Sequence, residues 1–181
     1  MIEITPGNIL VSEPFMDDPN FKRTAVLITE NNETGTLGLV LNRPSIFKVN
    51  EVLSNFPKFD AKVYRGGPIG IDMLNFIHSY PDLISESIHL VDNLYWNGNF
   101  NDLKKAIEDK SILSHNIKFF LGYSGWGVGQ LEEEMKERTW IVAKNYRNIF
   151  KGSQYMWKDV LEKMGGKYKI VANSPEDPSL N

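Results

Sequence analysis

Cysteine is missing from the 181 residues of this chain, and that absence removes disulfide staples, thiolate metal sites and cysteine nucleophiles together. It fits a reducing compartment. Long apolar runs are missing too: Leu37 to Leu41 is strand-sized, far below the ~20 residues that span a bilayer as a helix. The start, Met1-Ile2-Glu3-Ile4-Thr5-Pro6, has neither the basic beginning nor the apolar core of a secretory signal. The expectations are a cytoplasmic location and no membrane partner. Basic blocks are lacking as well, with 20 Lys and Arg set against 23 Asp and Glu for a net charge of −3. Phosphate-driven binding to DNA or RNA needs a clustered positive face, so nucleic acid is not the expected partner. Histidine is scarce, and His78, His89 and His115 show no H-x-x-x-H spacing or dense set of nearby acids; neither a metal nor a cofactor is expected.

What is present is ordinary for a globular domain: 41% hydrophobic and 24% charged residues. A chain of this size buries roughly 70% of the surface it exposes when unfolded. No repeat or linker interrupts it. Residues 1–172 read as one domain, and 173–181, with Pro175 and Pro178, as a flexible tail.

Ile9 to Ser12 and Thr24 to Glu30 are rich in β-branched and apolar residues, and Asn31 to Gly35 is turn chemistry leading into Thr36 to Asn42, which predicts a β-hairpin. Lys62 to Arg65, Met73 to His78, Ser87 to Val91, Ile117 to Gly122 and Trp140 to Ala143 are further short strands. Helices come between. Asn99 with Asp102 resembles a capping pair ahead of Leu103, Ala106 and Ile107 on one face, in a helix running to about Lys110. Gln130 to Arg138 is a second helix. In the third, Ser153 is the cap, Met156, Trp157, Val160, Leu161 and Met164 form the apolar stripe, and Gly165-Gly166 is the stop. Early hairpins with irregularly placed helices give an α+β class, with short antiparallel or mixed strands and about three flanking helices.

Gly7 to Pro14, Asp18 to Thr24 and Gly35 to Pro44 resemble the opening of the bacterial YqgE/AlgH family. Gly66-Gly67-Pro68 and Gly122-Tyr123-Ser124-Gly125-Trp126-Gly127-Val128-Gly129-Gln130-Leu131-Glu132, with Trp140 beyond, are similar to its later motifs. Ser12 stands where the family usually has Ala, and Asn31 where a His is common. The resemblance implies a pseudo-barrel of strands flanked by helices, in bacterial cytoplasm, without established catalytic residues. The family's label as a transcriptional regulator finds no helix-turn-helix spacing here to support it.

Gly122 to Gly129 carries the most chemistry, since a strand, a Gly-rich turn and a helix starting near Gln130 is the layout of phosphate loops and nucleophile elbows. Glu132, Glu133 and Glu134 at that helix start would repel a phosphate, and no Lys follows the last Gly. Ser124 lies one step from Gly-x-Ser-x-Gly, with Trp126 where the elbow needs its second glycine. A hydrolase using Ser124 and one of the three histidines is therefore the alternative. The favoured reading is a non-catalytic binding or regulatory module contacting a protein partner or small ligand. Its candidate residues are Asn42, Arg43, Gly66, Gly67, Tyr123, Trp126 and Gln130. Pro44 biases Arg43 towards extended geometry, from which a guanidinium projects; the bland version pairs Arg43 with a nearby carboxylate. Equally, the glycines admit positive φ or close packing, and Trp126 anchors the turn.

Overall fold

A computed structural model describes residues 3–144, 146–151 and 154–176. The first half is mostly strand: β1 (Ile9–Ser12), β2 (Ala25–Asn32), β3 (Gly35–Val40) and β4 (Pro44–Lys48) precede one helical turn, α1 (Val49–Val52). Next come β5 (Lys62–Arg65), β6 (Ile69–His78), β7 (Ile88–Val91) and β8 (Leu94–Trp96), then α2 (Phe100–Glu108). The long strand β9 (Ile117–Trp126) follows, with α3 (Gln130–Lys136), β10 (Trp140–Ala143), α4 (Met156–Met164) and α5 (Lys167–Ala172) behind it.

Hydrogen bonds join the strands into one sheet of order β10-β1-β2-β3-β9-β6-β8-β7, with β5 beside β9 and β4 beside β5. β5 runs parallel to β9, and the other pairs are antiparallel. The fold is α+β, but the path is open, with β10 and β7 at its ends. The pseudo-barrel that the resemblance implied is an open path of strands and not a closed barrel, since among the described residues these two end strands do not pair.

Alternation along the strands decides which helix covers which face. Ile9 and Val11 of β1, Leu27 of β2 and Phe120 of β9 pack with Met156, Trp157, Val160 and Leu161 of α4. Leu10, Val26 and Val40 point the other way, towards Trp126, Trp140 and Leu131 of α3. A third cluster puts Val63, Phe76 and Phe119 against Leu103, Ala106 and Ile107 of α2. β1 is buried on both faces, which is why its four residues read as a continuous apolar run ending in Ser12.

β1, β5, β10 and α4 match their expected spans. In α2, Asn99 caps as predicted, accepting from the Asn101 and Asp102 amides, while the Asp102 carboxylate turns to Ser85. The proposed Ser153 cap of α4 lies outside the described residues; the helix starts after Tyr155, whose own side chain makes no cap bond. Gly165 and Gly166 end it at φ 71° and 53°. Two strands, β4 and β8, and two helices, α1 and α5, go beyond the predicted set. Each is short, and β4 is almost wholly exposed, so neither length nor alternation marks them.

Trp126 closes β9 with its ring 5% exposed. Its indole N–H and that of Trp140 both donate to Glu134 Oε2, at 2.9 and 2.7 Å, and the two rings meet edge to face at 5.7 Å. Trp126→Ala is expected to destabilise the fold by about 3–5 kcal/mol, the usual cost of removing a buried large aromatic ring. Urea unfolding reads this directly; a midpoint equal to the parent's would mean the ring is no anchor.

Candidate functional site

β9 was expected to stop near Gly122 and give way to a turn, but it continues to Trp126. Gly122 is where it changes partner. Its φ of 74° is left-handed backbone that glycine adopts without penalty. Before it, Phe120 pairs with Tyr64 of β5; after it, Ser124 pairs with Gly38 of β3. Gly66 and Gly67 fill the changeover. The Gly66 N–H donates to Leu121 O and its carbonyl accepts from the Val40 N–H, each at 2.8 Å. A Cβ on Gly67 would lie 2.1 Å from Tyr123 O, and one on Gly66 2.3 Å from Gly122 O. The two glycine motifs therefore meet through their backbones, with Tyr123 half-buried beside them.

Ser124 is fully buried at this contact, and its hydroxyl donates to Gly66 O at 3.2 Å. His78 pairs with Ile117, seven residues earlier on β9, which at ~3.3 Å per residue is roughly 23 Å away. His115 precedes β9, and His89 lies beyond His78, across Tyr95. No imidazole reaches Ser124, so the pair that a hydrolase needs is not assembled there.

A different serine does lie near an imidazole: Ser87 Oγ is 3.2 Å from His78 Nε2. The Tyr80 N–H donates to His78 Nδ1 at 3.1 Å, which leaves the ring proton on Nε2, where it is donated to Asn97 O at 2.9 Å. Ser87 in turn donates to Ile84 O at 2.6 Å. A ring that already carries its proton on the serine's side cannot take another from it. Elsewhere on the chain Gln130 bonds Glu134 and the Gly127 amide, which places it with Trp126 in the packing around α3.

Asn42 and Arg43 lead to another place. Asn42 is 1% exposed; its Oδ1 accepts from the Ala25 N–H at 3.0 Å, and its Nδ2 donates to Arg23 O and Gln154 O at 2.9 and 3.4 Å. It joins the start of β2 to the approach of α4. The Arg43 guanidinium donates to Lys22 O. The Arg23 guanidinium lies 4.6 Å over the Trp157 ring and donates through Nη2 to Ser174 O and Pro175 O, both at 2.6 Å, while its Nε is buried without a partner. Trp157 is fixed by its own N–H, which donates to Ser12 O at 2.8 Å.

These residues surround a solvent-open cavity of about 600 Å³. Among the described residues of its lining, Lys22, Arg23, Arg43 and Lys158 are the cations and Glu176 is the carboxylate. Among the described residues Lys22, Arg23 and Arg43 form no ion pair, and Lys158 has only Glu162 at 3.8 Å. Partial burial, and after it the positive charge of Arg65, push the Arg43 guanidinium below its ordinary value. A cation so placed is short of counter-charge. Arg43 was singled out in the sequence, whereas Lys22, Arg23, Trp157 and Lys158 were not. The phrase Phe21-Lys22-Arg23-Thr24 held the available signal: two adjacent cations before a buried strand.

A family model described as AlgH-like matches residues 9–169. The chain belongs to that family. A UPF0301 protein of Cytophaga hutchinsonii is 41% identical over 181 residues, covering 98% of this chain and all of the relative. One from Chlorobium limicola is also 41% identical, covering 99% and 97%. Among solved structures, AlgH of Pseudomonas aeruginosa superposes with a TM-score of 0.72 at 25% identity, over 97% of this chain and 98% of its own. A crystal structure from Corynebacterium diphtheriae gives 0.78 at 22% identity, over 96% and 94%, and shows the shared fold. Among the described residues no helix is long and apolar enough to cross a membrane, and no group of three or more His, Cys, Asp or Glu is placed to hold a metal ion.

Burial lowers the His78 pKa from its ordinary 6.5, against the opposing bond to Asn97 O. The unfolded chain therefore takes up this proton first as pH falls. The contribution to stability is complete above pH 6.5 and is lost below it. Denaturant midpoints should decline between pH 7 and 5.5, and His78→Gln should flatten that slope; an unchanged slope in the variant would assign the titration to another group.

Proposed function

We propose that the chain is a non-catalytic binding module that recognises an anionic group through Arg43 and the cations around it. The observation that carries this reading is the cavity at residues 22–23, 43 and 154–158, where, among the described residues, four cations and one carboxylate line one opening and three of the four cations form no ion pair. Grouping like charges costs free energy, and a concave site of one sign concentrates counter-ions. Its volume falls within the range of small-ligand sites, ~300–1,000 Å³. Ser124, the residue on which an enzymatic reading rested, is already engaged in joining β9 to Gly66.

The supporting groups are fixed from behind. Asn42 ties the Arg23 and Gln154 carbonyls together, and Trp157 carries the Arg23 guanidinium on its ring. A binding site held by buried groups needs little reordering when it fills, which favours affinity.

Arg43→Ala removes one half-exposed hydrogen bond to a backbone carbonyl, worth about 1 kcal/mol. Its thermal midpoint should stay close to the parent's. In thermal unfolding against a panel of carboxylate and phosphate anions, the parent should gain stability from bound ligand, and the variant should not. Equal gains in both proteins would remove Arg43 as the recognition group.

A further inference from the structure

We infer that the cavity between residues 22–23, 43 and 154–158 binds the phosphoryl group of a small phosphorylated molecule, a phosphate monoester or diphosphate; this rests on the binding reading above and names its ligand. Charge comes first. Among the described residues that line the opening, Lys22, Arg23, Arg43 and Lys158 stand against Glu176 alone, an excess of three positive charges. A carboxylate neutralises one of them, whereas a phosphate monoester carries about −1.5 to −2 at neutral pH and a diphosphate more. The number of anionic oxygens needed to meet several separated cations points the same way.

Geometry narrows it further. Two guanidiniums offer planar donor forks, which suit phosphate oxygens, and two ammonium groups act as point charges at the rim. Lys22 and Lys158 are exposed, while Arg23 and Arg43 are half-buried. That arrangement puts mobile charges outside and fixed ones inside. Among the described residues Arg23 donates only through Nη2, to two neutral carbonyls, and no carboxylate meets its charge. The first turn of α4, which contains Trp157 and Lys158, also lines the cavity, and among the described residues no side chain caps it. Its positive end adds to the field with the same sign. The first-turn acid of α4, Asp159, lines a separate hollow with Tyr146 and Lys151.

A cavity of about 600 Å³ has room for more than the phosphoryl group alone, which is why a small organic phosphate is the ligand class. A nucleic-acid backbone would instead need a positive track outside the hollow, and the net charge of −3 does not supply one.

Pyrophosphate is the probe, titrated into the full-length chain at constant ionic strength and read by Trp157-sensitive fluorescence and amide chemical shifts. Saturable binding is expected, with shifts confined to residues near Lys22, Arg43 and Lys158. Lys22→Gln and Lys158→Gln alter exposed side chains and should keep the thermal midpoint while weakening pyrophosphate by about tenfold each, the scale of one lost charge-assisted bond. Malonate is the carboxylate control. If malonate binds as well as pyrophosphate, with Arg43→Ala abolishing both, the phosphoryl assignment falls and the anion-binding reading stands. If neither saturates, both fall. A single-stranded oligonucleotide that outcompetes pyrophosphate would overturn the small-ligand assignment.

Discussion

Where β9 leaves β5 and joins β3, two backbones approach more closely than any side chain permits. Gly66 and Gly67 lie against Gly122, Tyr123 and Ser124 at distances that a single methyl group would violate, 2.1 Å in the tightest case. Overlap with backbone cannot be relieved by turning a rotamer, so the strands would have to separate. β9 is bonded to β3, β5 and β6, and all three core clusters draw on it through Phe119, Phe120 and Trp126. Loosening this contact would disturb every layer together.

That constraint explains why the glycine-rich phrases look like functional loops in the sequence. Glycines spaced through Gly122 to Gly129 are what a phosphate loop shows, and they are equally what a strand shows when another backbone must pass against it. Composition cannot separate the two, since both require the missing Cβ. The distinction lies in Gly66 and Gly67, more than fifty residues earlier, and pairing over that distance leaves no local mark. Elements with a strong local mark were legible: the apolar run Ile9–Ser12, the stripe of α4 and the Asn99 cap. The weak ones, β4 and β8, owe their existence to neighbouring strands that supply hydrogen bonds.

The basic cavity was hidden for a related reason. Lys22, Arg23, Arg43 and Lys158 are spread along the chain, so no window shows a basic block and the net charge is negative. Only folding gathers them. Arg23 reaches carbonyls 151 and 152 residues away, and Asn42 bonds to a carbonyl 112 residues away. Asn42-Arg43 was nevertheless readable as a projecting pair. In the structure the two divide the work: the amide is spent inside the fold, and the guanidinium faces the opening.

This division links the glycine contact to the cavity. Gly66 O accepts from Val40 N–H at the end of β3, and Asn42 follows two residues later. Between them, Leu41 O accepts from the buried Lys118 Nζ at 3.2 Å; that amine also donates to Ile149 O at 3.4 Å and lies 4.1 Å over the Tyr64 ring. Burial lowers its pKa to about 7, so near neutrality Lys118 holds these carbonyls in both protonation states, as a donor in each. The run Val40 to Arg43 is thus pinned at Val40 by the β9 glycine contact, at Leu41 by Lys118 and at Asn42 by the strands and the approach to α4. Arg43, the next residue, is held through its carbonyl, which accepts from the Arg65 N–H at 2.8 Å, while its half-buried guanidinium bonds Lys22 O beside the opening. A recognition group at the end of a segment fixed at three successive residues has its position set by the core, and the same residues that make the sheet make the site.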